Sequence, residues 1–157
     1  MKAADQLALL QEFYRDRLRL ANDHLASARH VGQYEFNNTY QYIIAREETH
    51  LQWAADAITK LGDSLPDSSP AEPGPVSQQA AIERDLERQQ AFVERWRPRV
   101  AGLTNARHRR MLEVILGEAL EHAQLLAEAL AGRTDLLGPG APGAGERGTV
   151  LSDRWIE

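Results

Sequence analysis

At 157 residues the chain has the length of one domain with a sizeable core, and 43% hydrophobic with 26% charged residues is ordinary globular composition. A net charge of −5 offers no basic field to nucleic acid or to an anionic membrane. Cysteine is absent, which excludes disulfides, thiol chemistry and iron–sulfur ligation by thiolates.

The N-terminal stretch MKAADQLALLQEF is broken by acidic and amide residues and does not read as a signal peptide. No apolar run approaches the roughly 20 residues that span a bilayer. The expected compartment is therefore the cytoplasm, with no nucleic-acid and no membrane partner. Residues 3–31 carry Leu7, Leu10, Tyr14, Leu18, Ala21, Leu25 and Ala28 at three- and four-residue spacings. This predicts a long first helix that Gly32 ends. A second helix is predicted over 34–61, with Phe36, Ile43, Ala54, Ile58 and Leu61 on one face and Gly62 at its end.

Asp63 to Ser77 is 15 residues with four prolines, a composition that neither helix nor strand tolerates. Ser77 is a candidate cap for a third helix running to about Val100 on Ile82, Leu86, Val93, Trp96 and Val100, with Pro98 fraying or kinking its last turn. After the turn AGLT, with Thr104 as the candidate cap, a fourth helix is predicted from about Asn105 to Ala131 on Leu112, Ile115, Ala119, Leu126 and Leu130. Strand signals are essentially missing. The chain thus divides into an all-α bundle over 1–132, with a crossover at 63–77, and a separate segment over 133–157.

Loop lengths select a topology. Tight turns join helices one and two, and helices three and four, so each pair is expected to pack antiparallel. A helix of about 28 residues is roughly 42 Å long. Fifteen proline-rich residues in extended form reach about 46 Å, enough to run the length of the bundle. The expected arrangement is a four-helix bundle with one long crossover.

Within REETHLQW, Glu47 and His50 fall on the apolar face of the second helix, where a carboxylate is costly to bury without a partner. A shift of 72 residues places His50 on His122, Ile43 on Ile115 and Glu47 on Ala119. Helices two and four thus present histidines at matching mid-helix depths.

Glu47-x-x-His50 in a long second helix resembles the metal-binding motif of the ferritin-like superfamily, rubrerythrins included. LGEALEHAQLL around His122, placed symmetrically in the fourth helix, resembles it too. The resemblance covers residues 3–131. It implies a ferritin-like four-helix bundle and a metal-binding role, but the ligand set is incomplete. Ala119 stands where the family has a glutamate, with Glu118 one position away. The first helix has Tyr14 and Arg17 where a carboxylate is expected. Asp85 is the plausible carboxylate of the third helix.

What the resemblance implies is a reduced site of Glu47, His50 and His122, with Glu118 and Asp85 nearby. Two imidazoles and a carboxylate suit a single iron with open positions. The added carboxylates suit one or two ions of iron or manganese. With iron, the open positions imply non-haem oxidase or peroxide chemistry, or iron handling. The alternative is a metal-free bundle serving as a structural or interaction module. There an Arg17–Glu47 ion pair, completed by Gln89 and the histidines, satisfies the buried carboxylate.

His24 and His108 lie near core faces but away from the midplane, and read as packing or capping residues. Trp53 and Tyr42, off the main stripe of the second helix, mark either a candidate homo-oligomer interface or simple surface packing. After Arg133, GPGAPGAGERG reads as a flexible linker. TVLSDRWIE follows, and its Val150, Leu151, Trp155 and Ile156 suggest docking on the bundle, on a second subunit or on a protein partner.

Overall fold

The computed structural model of the protein describes residues 1–67 and 72–138. Within them are four helices and no strand: α1 (Ala3–Ala28), α2 (Tyr34–Lys60), α3 (Gln78–Ala101) and α4 (Ala106–Leu130). None of these helices is long and apolar enough to cross a membrane. The middle of the crossover and the segment around Trp155 lie outside the described residues.

The helix ends are built by local chemistry. The Ser77 side chain accepts a hydrogen bond from the Ala80 N–H and caps α3, as expected. Asn105, not Thr104, caps α4, its side-chain oxygen accepting from the His108 N–H at 3.0 Å. Asparagine is the better N-cap acceptor, and it directly precedes the first helical residue. Both α2 and α4 close in a paired C-terminal motif. The Gly62 N–H bonds the Thr59 carbonyl and the Asp63 N–H bonds Ile58; Gly132 and Arg133 repeat this with Ala129 and Glu128. The motif needs a left-handed residue, and Gly62 and Gly132 take φ values of +85° and +89°. Pro98 does not end α3, which continues to Ala101.

The helices pack as a bundle in which α1 and α4 each lie against both α2 and α3. Across the α1–α3 seam, Glu12 meets Arg99, Asp16 meets Trp96, Asp23 meets Arg88 and Ser27 meets Arg84. Across α1–α2, Arg17 meets His50 and His24 meets Glu47. Across α2–α4, Tyr42 meets His122 and Arg46 meets Glu118.

The apolar core forms two clusters. One gathers Leu10, Phe13, Ile58, Phe92, Trp96, Val100, Leu112 and Ile115. The other gathers Val31, Phe36, Tyr40, Ile43, Ile82, Leu126 and Leu136 at the opposite end. The buried stripe of α1 differs from the expected one. Leu9, Phe13, Arg17, Leu20, His24 and Ser27 face inward, whereas Leu25 is 48% exposed. The apolar pattern of α1 is ambiguous by about one residue, and partners for Arg17 and His24 on the other helices decide the rotation. Leu61 is likewise exposed, because it lies at the C-cap of α2 beyond the packed face.

Candidate functional site

Glu47 and His50, three residues apart on α2, point to one side of the helix, and both are fully buried. Arg17 and His24, seven residues and so two turns apart on α1, face them. Glu47 is held by both. Its Oε1 accepts from His24 Nδ1 at 2.6 Å, and its Oε2 lies 3.4 Å from Arg17 NH1. The second contact is an ion pair without hydrogen-bond alignment, since neither Oε2 nor NH1 has a hydrogen-bond partner. Arg17 reaches past Glu47 with its other terminal nitrogen, NH2, which donates to His50 Nδ1 at 3.1 Å.

The network continues into α4. His50 Nε2 lies 2.9 Å from Glu118 Oε2, and Arg46 grips the same carboxylate with Nε at 2.6 Å and NH2 at 3.0 Å. These contacts assign the His50 tautomer. An arginine N–H can only donate, so Nδ1 accepts, and the proton sits on Nε2 and is donated to Glu118. Both ring nitrogens of His50 are therefore engaged.

On the far side of His24, its ring meets Tyr40 edge-on with centroids 6.2 Å apart. The Tyr40 hydroxyl donates to Asp85 Oδ2 at 2.7 Å, and Arg84 lies 3.5 Å from the other Asp85 oxygen. Gln89 Nε2 donates to the Ala119 carbonyl at 3.1 Å. His122 stacks on His50 with centroids 6.3 Å apart and meets Tyr42 edge-on at 5.8 Å. Both His122 ring nitrogens are buried without a hydrogen-bond partner.

Protonation follows from these neighbours. Burial lowers His122 to about 3, with Arg17 adding to the effect. Burial and then Arg17 lower His50 to about 4, against the pull of Glu118. His24 moves the other way: burial disfavours its charge, but the Glu47 carboxylate outweighs that and raises its pKa. Burial also disfavours a charged Glu47, and the charges of His24 and Arg17 outweigh it and hold the carboxyl below its ordinary range. Glu118, despite partial burial, is brought to about 2 by the hydrogen bonds from Arg46 and His50. Of the three mid-bundle histidines, His24 is the one whose charged form is favoured, and the other two are held toward the neutral form.

The five residues singled out as metal ligands are thus distributed over three partnerships. Glu47 belongs to Arg17 and His24, His50 and Glu118 belong to each other and to Arg17 and Arg46, and Asp85 belongs to Tyr40 and Arg84. Among the described residues, no group of three or more His, Asp and Glu side chains is set to hold a metal ion. The donor chemistry of this arrangement does not fit a dication. A permanently charged guanidinium stands among the ligands, and the only lone pair of His50 is already accepting from it. His122 has both ring nitrogens uncommitted, and His24 has its Nε2 uncommitted.

Three participants escaped the sequence reading. His24 is a core member of the site, not a packing or capping residue. Its seven-residue spacing from Arg17, two turns on one face, was the available signal. Arg46 was missed because it flanks the apolar face, and Tyr40 because it reads as an ordinary core aromatic; they act through Glu118 and Asp85 on other helices. Trp53 and Tyr42 are half-buried inner aromatics. Trp53 packs beside His50 at 5.7 Å and under the Arg46 guanidinium at 6.0 Å, so their expected role in an oligomer interface has no support. His108 bonds Gln6 across the α1–α4 end of the bundle.

Comparison with protein-family models, with curated proteins and with solved structures found no match.

Proposed function

We propose that the chain is a ferritin-like bundle whose mid-bundle position is held by a metal-free charge network, and that it serves as a structural or protein-interaction module. The carrying observation is the Arg17 guanidinium between Glu47 and His50. It neutralises the carboxylate that a metal would otherwise compensate. The ferritin-type topology has support in the order of contacts. Residue numbers run oppositely along the α1–α2, α1–α3 and α2–α4 seams, which supports an antiparallel reading of each of those pairs. On that reading α2 and α3 point the same way, as in a bundle with one long crossover.

The iron or manganese reading rests on one observation, the two unpartnered nitrogens of His122 beside His50. Elemental analysis separates the two. Protein purified from iron- and manganese-supplemented cells should carry far less than one metal per chain. Near-stoichiometric metal that falls sharply in both His50→Ala and His122→Ala would overturn the metal-free reading and establish the other.

A further inference from the structure

The outer seam between α3 and α4 is an apolar groove. Two hollows, of about 290 and 550 Å³, run into each other at Gly117 and Leu120. Val100, Leu116, Ala123 and Ala127 add to its apolar lining, and Arg97, Glu113, Gln90, Glu121 and Gln124 border it. Leu120 is half exposed, and a side chain at Gly117 would meet nothing within 4 Å. A glycine inside a helix lowers its stability relative to alanine, and here it widens the groove at its middle.

We propose that this groove is the docking site of the chain's own segment Val150–Ile156, bound in cis. Three observations single out this occupant. The first is where the described chain leaves the bundle. Leu136 is buried in the cluster at the C-terminal end of α4, and Gly138 follows it, eleven residues after Ala127 at the near end of the groove. The ten residues 139–148 reach up to about 33 Å, more than enough to return to that point.

The second is length. From Ala127 to Glu113, α4 rises about 21 Å, and seven extended residues span about 23 Å. With Val150 at Ala127, Trp155 comes about 16 Å along the groove, and Gly117 lies about 15 Å along it. The largest side chain of the segment thus meets the position that has none. The third is charge. In the same register Arg154 comes about 13 Å along the groove, between the levels of Glu121 and Glu113 on α4. A short tether gives the segment an effective concentration on the order of millimolar at its own groove, which favours cis occupancy over capture by another molecule.

The absence of cysteine makes the test clean. A nitroxide is attached to Ser152→Cys in the full-length, isotope-enriched protein, and broadening of backbone amides is read by NMR. Amides from Gly117 to Ala127 should broaden several-fold more than those of Leu25 and Gln41 on the opposite face. Leu120→Glu, and independently Gly117→Gln, should abolish the difference with helix content unchanged; both positions are exposed, so neither change disturbs the core. Diluting the labelled protein into excess unlabelled wild type should leave the broadening intact. Broadening spread evenly over all faces, broadening unaffected by both groove variants, or broadening that vanishes on dilution and so comes from a second copy's tail, would each overturn cis docking.

Discussion

Arg17 and Glu47 face each other in the middle of the bundle, 1% and 0% exposed, with NH1 and Oε2 3.4 Å apart. The distance is within ion-pair range, but the alignment is not that of a hydrogen bond. Arg17 spends its one aligned bond on His50 instead. One guanidinium therefore answers two demands at once, the charge of Glu47 and the lone pair of His50.

Arg17→Ala should destabilise the fold by about 3–5 kcal/mol, because it leaves Glu47 buried with a single cationic partner. Arg17→Met combined with Glu47→Gln should recover much of that loss, since removing both charges is far less costly than removing one. Urea unfolding of the two variants and wild type measures both. A loss under about 1 kcal/mol for Arg17→Ala would mean the pair is not held as described.

Arg17→Ala should also change what the site binds. Without the guanidinium, His50 Nδ1 and Glu47 are released beside His122, a plausible ligand set for a divalent cation. Cobalt titrated into the variant should give a ligand-field absorption that wild type lacks. Equal affinity in the two proteins would show that Arg17 does not control access to those donors.

Stability should peak near pH 6.5. His50 and His122, held at about 4 and 3 in the fold, take up protons more readily when unfolded. Their contribution is complete above about 6.5 and falls as pH drops toward those values, by up to about 1.4 kcal/mol per pH unit for each. His24 acts in the opposite sense. Its raised pKa contributes stability that is present below about 6.5 and is lost as pH rises through the folded value. Denaturation midpoints across pH 4.5 to 9 test the shape, and a profile still rising steadily above pH 7 would contradict the charged His24–Glu47 pair.

The imidazole protons are open to direct observation. Nitrogen NMR should find His50 as the Nε2–H tautomer and should find His122 neutral well below pH 5. Glu118→Gln leaves an acceptor oxygen for the Nε2–H but removes the negative charge, so the His50 pKa should fall further. An unchanged or raised value would sink the proposed link between His50 and Glu118.

Gly62→Ala should cost about 1 kcal/mol, since a Cβ is strained at φ +85° even though no neighbour crowds it. Gly117→Ala, in the interior of α4 with open space around it, should instead gain about 1 kcal/mol. Thermal melts of the two variants distinguish backbone strain from packing.

Much of this protein is decided along the chain itself. Helix periods, the prolines between α2 and α3, Ser77 as a cap, and Gly62 and Gly132 as stops all act over a few residues, so each is legible locally. The burial of Glu47, His50 and His122 was legible too, because a 3.6-residue period fixes which positions share a face. What the sequence left open was the partner of each buried polar group. Glu47 pointed first to a metal and second to Arg17, and His24 looked like packing. Only the packing of α1 against α2 shows which side chains they meet. It rotates α1 so that His24 joins Arg17 on the inward face and Leu25 faces out, bringing together groups 23 to 33 residues apart. The free energy of a buried charge depends on distances of a few ångströms between different helices. Hydrophobic spacing within one helix carries no record of them.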